Sequence, residues 1–308
     1  MTIVTVFGGT GFFGRPLVRR LAAEGATVRV GVRHVERARA IFHAEGLEGI
    51  AVFRADVRDP NSLIAALSGA DAAVNAVSGY VDKGDATFEA IHVQGAEAVA
   101  RKVAEAGLTR PVLISGIGAD PKSASPYIRA RGQGELGGGR AFPGATTVRP
   151  GAMFGPGDAL FGTLADVARL LPVVPLIDGG RTRMQPVYVA DVVEAILRIL
   201  VDSATPGRTY ELAGPRTYTM RELVVLTLRL IGKRRLLMTV PFGMAKIMAR
   251  LFEFLPNPPL TTSQVDLLRA DNVVSGALPG FRDLNIQPEA VEDVVPTYIG
   301  RSRMPEPR

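Results

Sequence analysis

The sequence predicts an α/β protein: a doubly wound parallel sheet followed by a smaller C-terminal α+β lobe. Three observations carry this. An apolar run at 3–7 passes through Gly8, Gly11 and Gly14 into Leu17, Val18 and Leu21 at helical period. Strand and helix patterns then alternate through the first half of the chain. Beyond residue 150 that rhythm breaks into segments rich in glycine and proline.

Each element has its own warrant. Strands are expected at 3–7, 27–32, 50–54, 72–75 and 111–115, where short β-branched or apolar runs end in turn residues. Amphipathic helices are expected between them, for example at 62–67 and 88–106. A sixth strand at 146–149 leads into the turn PGAMFGPGD. Gly155, Pro156, Gly157, Pro172, Pro175, Gly179 and Gly180 then mark loops rather than another strand–helix unit. A strand at 186–189 and a helix at 190–200 read as a return to the sheet, followed by a strand at 209–212. From Thr217 onward the pattern is helical, with one short strand at 236–240. The division expected is a first domain over 1–150 with 185–215 returning to it, and a lobe over most of 151–308. Only 302–308 read as disordered.

Composition bounds the function. With 308 residues, 47% of them hydrophobic, the chain can bury a large core. It has no cysteine, and His34, His43 and His92 lack metal-like spacing, so neither a disulfide framework nor a metal centre is expected. The net charge of +6 suits a phosphate-bearing ligand or an anionic surface, and equally a solvated arginine-rich exterior. Basic residues are dispersed and tryptophan is absent, which argues against nucleic acid. The first strand begins at Ile3, so no signal peptide is expected. No apolar stretch reaches the roughly 18–20 residues of a membrane span. The expected location is cytoplasmic, or peripheral to the inner membrane.

Glycines between a strand and a helix permit a tight turn and close approach of backbone to a pyrophosphate, which the helix N-terminus then holds. Gly8, Thr10, Gly11, Phe12, Phe13, Gly14 and Arg15 are therefore candidate dinucleotide-binding residues. The second strand, VRVGVRHVERA, reaches Arg33 and His34 without the acid that would bind an adenosine ribose. Arg33, with Arg15 behind it, is a candidate clamp for a 2′-phosphate, which favours NADP(H) over NAD(H). Asp56 and Val57 follow the third strand on the adenine side. Asn75, Ala76 and Val77 end the fourth on the ribose side.

These motifs, with a serine ending strand five and a tyrosine soon after, resemble an extended short-chain dehydrogenase/reductase. The resemblance implies an active site of serine, tyrosine and a lysine four residues on. The matching positions are Ser115 in LISGIGAD, Tyr127 in SPYIRAR, and Arg131 where the lysine would stand. It implies that the serine holds a carbonyl and the tyrosine passes a proton, while the third residue holds the ribose. All three would line the cofactor, as would Pro150 and Gly151. The stretches VRPGAMFGPGD, PVYVADV and LPNPPLTTSQVDLLRADNVVS resemble one atypical branch, that of the complex I (NADH:ubiquinone oxidoreductase) alpha subcomplex subunit 9 and its bacterial, epimerase/dehydratase-like relatives. That branch implies a tightly held NADP(H) with a structural or sensing role linked to complex I or quinones. The alternative is an active NADPH-dependent reductase or epimerase acting on a small or isoprenoid carbonyl compound.

One further segment stands out. Met244, Ile247, Met248, Leu251, Phe252 and Leu255 form an apolar stripe, with Lys246 and Arg250 on the other side and Lys233, Arg234 and Arg235 upstream. Such a stripe ordinarily covers a lobe's own core. Next to basic residues it also suits a membrane surface or a partner groove.

Overall fold

The computed structural model describes residues 2–82, 84–254 and 260–300. Two compact units are present. The first comprises Met1–Pro150, Ala190–Leu212 and Ser275–Ile286; the second holds Gly151–Val189, Ala213–Val274 and Gln287–Arg308.

In chain order the first unit begins β1 (Ile3–Phe7), α1 (Gly14–Ala23), β2 (Thr27–Val32), α2 (Val35–Ala44), β3 (Ala51–Arg54), α3 (Ile64–Leu67), β4 (Ala72–Asn75), α4 (Gly95–Glu105), β5 (Arg110–Ile114), α5 (Pro126–Ala141) and β6 (Thr146–Pro150). The second unit supplies β7 (Met153–Phe154), α6 (Ala159–Leu170), β8 (Val173–Ile177), β9 (Arg183–Met184) and β10 (Val187–Tyr188). After α7 (Val189–Val201), β11 (Thr209–Leu212) closes the sheet. The second unit resumes with β12 (Tyr218–Thr219), α8 (Met220–Leu230), β13 (Leu236–Val240), α9 (Phe242–Phe252) and α10 (Thr262–Leu267).

The central sheet has seven strands in the order β11-β6-β5-β4-β1-β2-β3, each neighbouring pair parallel. This is the Rossmann-like doubly wound sheet. Its order reverses between β1 and β4, which opens a crevice at their carboxyl ends. Val4, Val6, Val28, Val30 and Val74 are buried along these strands, because helices cover both faces of a parallel sheet. Arg149 on β6 pairs with Glu135 of α5 (2.5 Å) and approaches Glu211 of β11 (3.8 Å). Glu211 in turn accepts from the Ser275 N–H (2.6 Å) and hydroxyl (2.8 Å), which pins the segment Ser275–Ile286 to the first unit.

Four expectations need correction. The stretch expected as loop forms α6 and β8. Asp158 caps α6 by accepting from Phe161 N (2.6 Å), and Pro175 is tolerated in β8 because, among the described residues, that strand has only β13 beside it, with Pro175 exposed. The strand expected at 186–189 does not rejoin the sheet. Val187–Tyr188 instead pairs with Met153–Phe154, held by Val187 N–H donating to Ala152. The helix expected over 88–106 is a π-helical turn, Glu89–Gln94, running into α4. On α9, Ala245 and Ala249 face the core, and of the expected stripe Met248 and Phe252 are half-buried while Met244, Ile247 and Leu251 are exposed, so the stripe covers it only in part. Leu255 and the segment 302–308 lie outside the described residues.

Candidate functional site

The glycine turn closes as its spacing requires. Gly8 has φ +80°, and a Cβ there would come within 2.9 Å of the Ala76 backbone. Gly14 cannot carry a Cβ without overlapping the Gly8 carbonyl oxygen. Gly11 N–H donates to Gly8 O (3.0 Å), and Arg15 N–H to Gly11 O (3.0 Å). Gly11 itself is exposed, and its Cβ would meet only the Gly8 carbonyl at 3.3 Å. Phe13, at the N-cap of α1, makes no side-chain cap, and the first turn holds no acid. A helix start without such groups keeps the positive end of its dipole uncompensated by side chains, which is favourable chemistry for an anion. Thr10 and Phe12 lie in the turn, half-buried, and Phe13 is buried.

Arg33 and His34 are exposed just past β2, and His34 lines an open hollow with Val35, Glu36 and Arg37. Arg15 lies 3.5 Å from Glu45. Asp56 is gripped by Arg58, Oδ1 to Nε at 3.0 Å and Oδ2 to Nη2 at 2.6 Å. That bond, more than the nearby Arg33 charge, holds its carboxyl below the usual range. Arg58 also reaches Asp85 (2.8 Å). Val57 is buried against the π-helical turn's exit, within reach of Gly95. Asn75 is buried at the end of β4, its Oδ1 accepting from Val77 N–H (3.2 Å), and Ala76 N–H donates to Phe7 O (3.0 Å).

Ser115, Tyr127 and Arg131 all lie in the first unit. Ser115 follows β5, its N–H donating to Val148 O (2.7 Å). Tyr127 and Arg131 are one turn apart on α5, so they share a face. Arg131 Nη1 donates to the Tyr127 hydroxyl (2.8 Å), Nη2 to Ile114 O (3.4 Å), and the guanidinium carbon sits 5.2 Å from the phenol ring centre. Tyr127 is 5% exposed. Tyr80 stacks on it at 5.3 Å, and the rings of Phe88 and His92 meet it edge-on at 5.4 and 5.3 Å. Burial pushes the phenol pKa well above its ordinary value, and the opposing Arg131 charge does not cancel that. Burial first, and then the Arg131 charge, push His92 down to about 4.

The Ser115 hydroxyl and Arg131 Nε are buried without a hydrogen-bond partner among the described residues. Both residues line a cavity of about 10 Å³ with Asn75 and His92, about the size of one water. Pro150 ends β6 and is buried; Gly151 opens the second unit. Tyr80, Phe88 and His92 were not singled out by the sequence. Their one local signal is the spacing of Phe88 and His92, which puts both rings on one side of a helical turn. A glycine at 134 lets α5 approach this turn, since a Cβ there would overlap the His92 carbonyl oxygen.

Comparison with known proteins gives the family and the fold. Residues 8–134 match the NAD(P)H-binding domain family. The chain is 31% identical over 296 residues to the mitochondrial NADH-ubiquinone oxidoreductase 40 kDa subunit of Neurospora crassa, covering 96% of this chain and 78% of that one. It is 33% identical over 302 residues to the mitochondrial NADH dehydrogenase (ubiquinone) 1 alpha subcomplex subunit 9 of Arabidopsis thaliana, covering 94% and 75%. A ceramide reductase of Caulobacter vibrioides is 30% identical over 244 residues, covering 78% and 74%. Among solved structures, the NADPH-dependent quinone oxidoreductase QOR2 of Escherichia coli, complexed with NADPH, shares the fold. Its TM-score is 0.74 at 18% identity, over 94% of this chain and 97% of that one. The chain therefore belongs to the NAD(P)-binding family of the complex I alpha subcomplex subunit 9, an atypical branch of the short-chain dehydrogenases/reductases.

Proposed function

We propose that this protein holds NADP(H) as a resident structural or sensing group, in association with respiratory complex I or quinone metabolism, rather than turning it over. One observation carries the reading: Tyr127, the tyrosine in the family's proton-donor position, is sequestered. Its hydroxyl accepts from Arg131, its ring is enclosed by Tyr80, Phe88 and His92, and burial holds it protonated. A phenol so engaged is poorly placed to pass a proton to a substrate.

The residues fit a dinucleotide. Gly11 leaves the turn open to close approach, the uncapped start of α1 favours a pyrophosphate, and Asn75 ends β4 across the crevice, with Ala76 and Val77 following it. Arg33, exposed beyond β2, supports the 2′-phosphate and so NADP(H), with Arg15 as its second cation. Arg131 takes the lysine's place toward the ribose. When bound, the dinucleotide supplies a hydride donor or acceptor. The chain's own part is to hold it by backbone and by fixed positive charge.

An NADPH-dependent reductase is the second reading, favoured by the likeness to a ceramide reductase. Release of the cofactor from purified, heat-denatured protein, identified by mass and absorbance, separates the two. Co-purified NADPH that Arg33→Ser abolishes supports the resident group. Protein that purifies empty and oxidises NADPH with a carbonyl compound overturns it, and NADH in place of NADPH overturns the role of Arg33.

A further inference from the structure

Helix α9 is built inside out. Its small residues, Ala245 and Ala249, are the fully buried ones, against Val240 and Val265, with Phe242 packed beside them and Met248 and Phe252 half-buried, while Met244, Ile247 and Leu251 are left exposed. Met244 is 57% exposed, Ile247 64% and Leu251 64%, and Phe254 just beyond the helix is 88% exposed. Positions 244, 247, 251 and 254 recur at three and four residues, so they make one stripe opposite the alanines. A surface helix that merely roofed a core would have the reverse order.

The charges beside this stripe are cationic. Arg250 is exposed on its flank. Glu253 faces the other way and accepts from Thr262 N–H and hydroxyl (2.8 Å each). The strand that leads into the helix adds apolar surface: Leu236 and Met238 lie on one face of β13, both exposed, and Arg234, two residues before the strand, is exposed too. Large apolar side chains edged by free-facing arginines match an anionic lipid surface, whose headgroups take the cations while the acyl boundary takes the apolar groups. At 11 residues α9 measures about 16 Å, half of what a span requires. No helix among the described residues is long and apolar enough to cross a membrane.

We infer that α9 is an interfacial anchor that lies in the plane of an anionic bilayer, with Met244, Ile247, Leu251 and Phe254 inserted. This goes beyond the cofactor reading and stands independently of it, because its readout is lipid binding alone.

The chain has no tryptophan, so Phe254→Trp places a single reporter at an exposed turn where the fold is undisturbed. The full-length variant is mixed with vesicles of phosphatidylcholine, with or without about 30% phosphatidylglycerol. The expected result is a blue-shifted emission and co-sedimentation with the anionic vesicles only, weakened by raising salt from about 50 to about 500 mM. Ile247→Glu with Leu251→Glu should lower the bound fraction about tenfold or more without changing the melting temperature. Emission unmoved by anionic vesicles overturns the anchor. So does a protein dimer in light scattering that the double substitution dissociates, since the face then belongs to a second copy.

Discussion

Arg131 donates its Nη1–H to the Tyr127 hydroxyl at 2.8 Å while its guanidinium carbon lies 5.2 Å from the same ring centre. One side chain thus binds the phenol at both its oxygen and its π-face. A lysine in the same place would offer a point charge on a flexible stem, without a planar fork to do both. The pair reads as a clamp.

If so, Tyr127→Phe leaves cofactor content unchanged and lowers stability by about 1–3 kcal/mol, because a half-buried arginine donor loses its acceptor. Denaturant melts and cofactor release on the same preparation check both halves. A variant of unaltered stability that has lost a measurable carbonyl reduction would instead make the tyrosine an acid–base group.

The three glycines of the turn differ in what they do, and substitution separates them. Gly14→Ala drives a methyl into the Gly8 carbonyl oxygen and should cost about 1–3 kcal/mol or more of stability. Gly11→Ala meets only that carbonyl at 3.3 Å and should leave the melting temperature nearly unchanged. Because Gly11 is exposed, the proposed dinucleotide site predicts that this variant still weakens NADPH binding. Melting curves and dinucleotide titrations of both variants test the separation; equal loss of stability in the two would refute it.

His92 makes the fold sensitive to acid. Its pKa stands at about 4 against an ordinary 6.5, chiefly through burial. Between those values the unfolded chain binds a proton that the folded chain refuses. Its contribution is therefore complete above pH 6.5 and is lost as the pH falls toward 4, by up to about 3 kcal/mol. Unfolding free energies across that window should decline for the native chain and flatten for His92→Gln. An equal slope in both would place the titrating group elsewhere.

The parts of this structure that were legible in the sequence are those governed by neighbours along the chain. Strands 3–7, 27–32, 72–75, 209–212 and 236–240 coincide with observed elements. Buried parallel strands are short apolar runs with turn residues at each end, and that signal is local. The misread segment after residue 155 shows the converse. Its prolines and glycines outweighed Asp158, whose place before an apolar helical repeat is itself a cap signal. The spacing of Tyr127 and Arg131 was legible; the enclosure of Tyr127 was not, because Tyr80, Phe88 and His92 come from a different stretch of chain.

By itself the sequence determined the doubly wound sheet and the glycine turn at the start of α1, since each is set by residue type and spacing; that Arg131 stands where a lysine would is what the family resemblance implies. Only the tertiary structure decided which groups are shut away from water and which are left in it. That is where Tyr127 became a buried, protonated clamp partner. It is also where α9 turned its alanines inward and its large apolar side chains outward. Periodicity fixes that a helix has an apolar face; what covers that face depends on surfaces brought together from far along the chain.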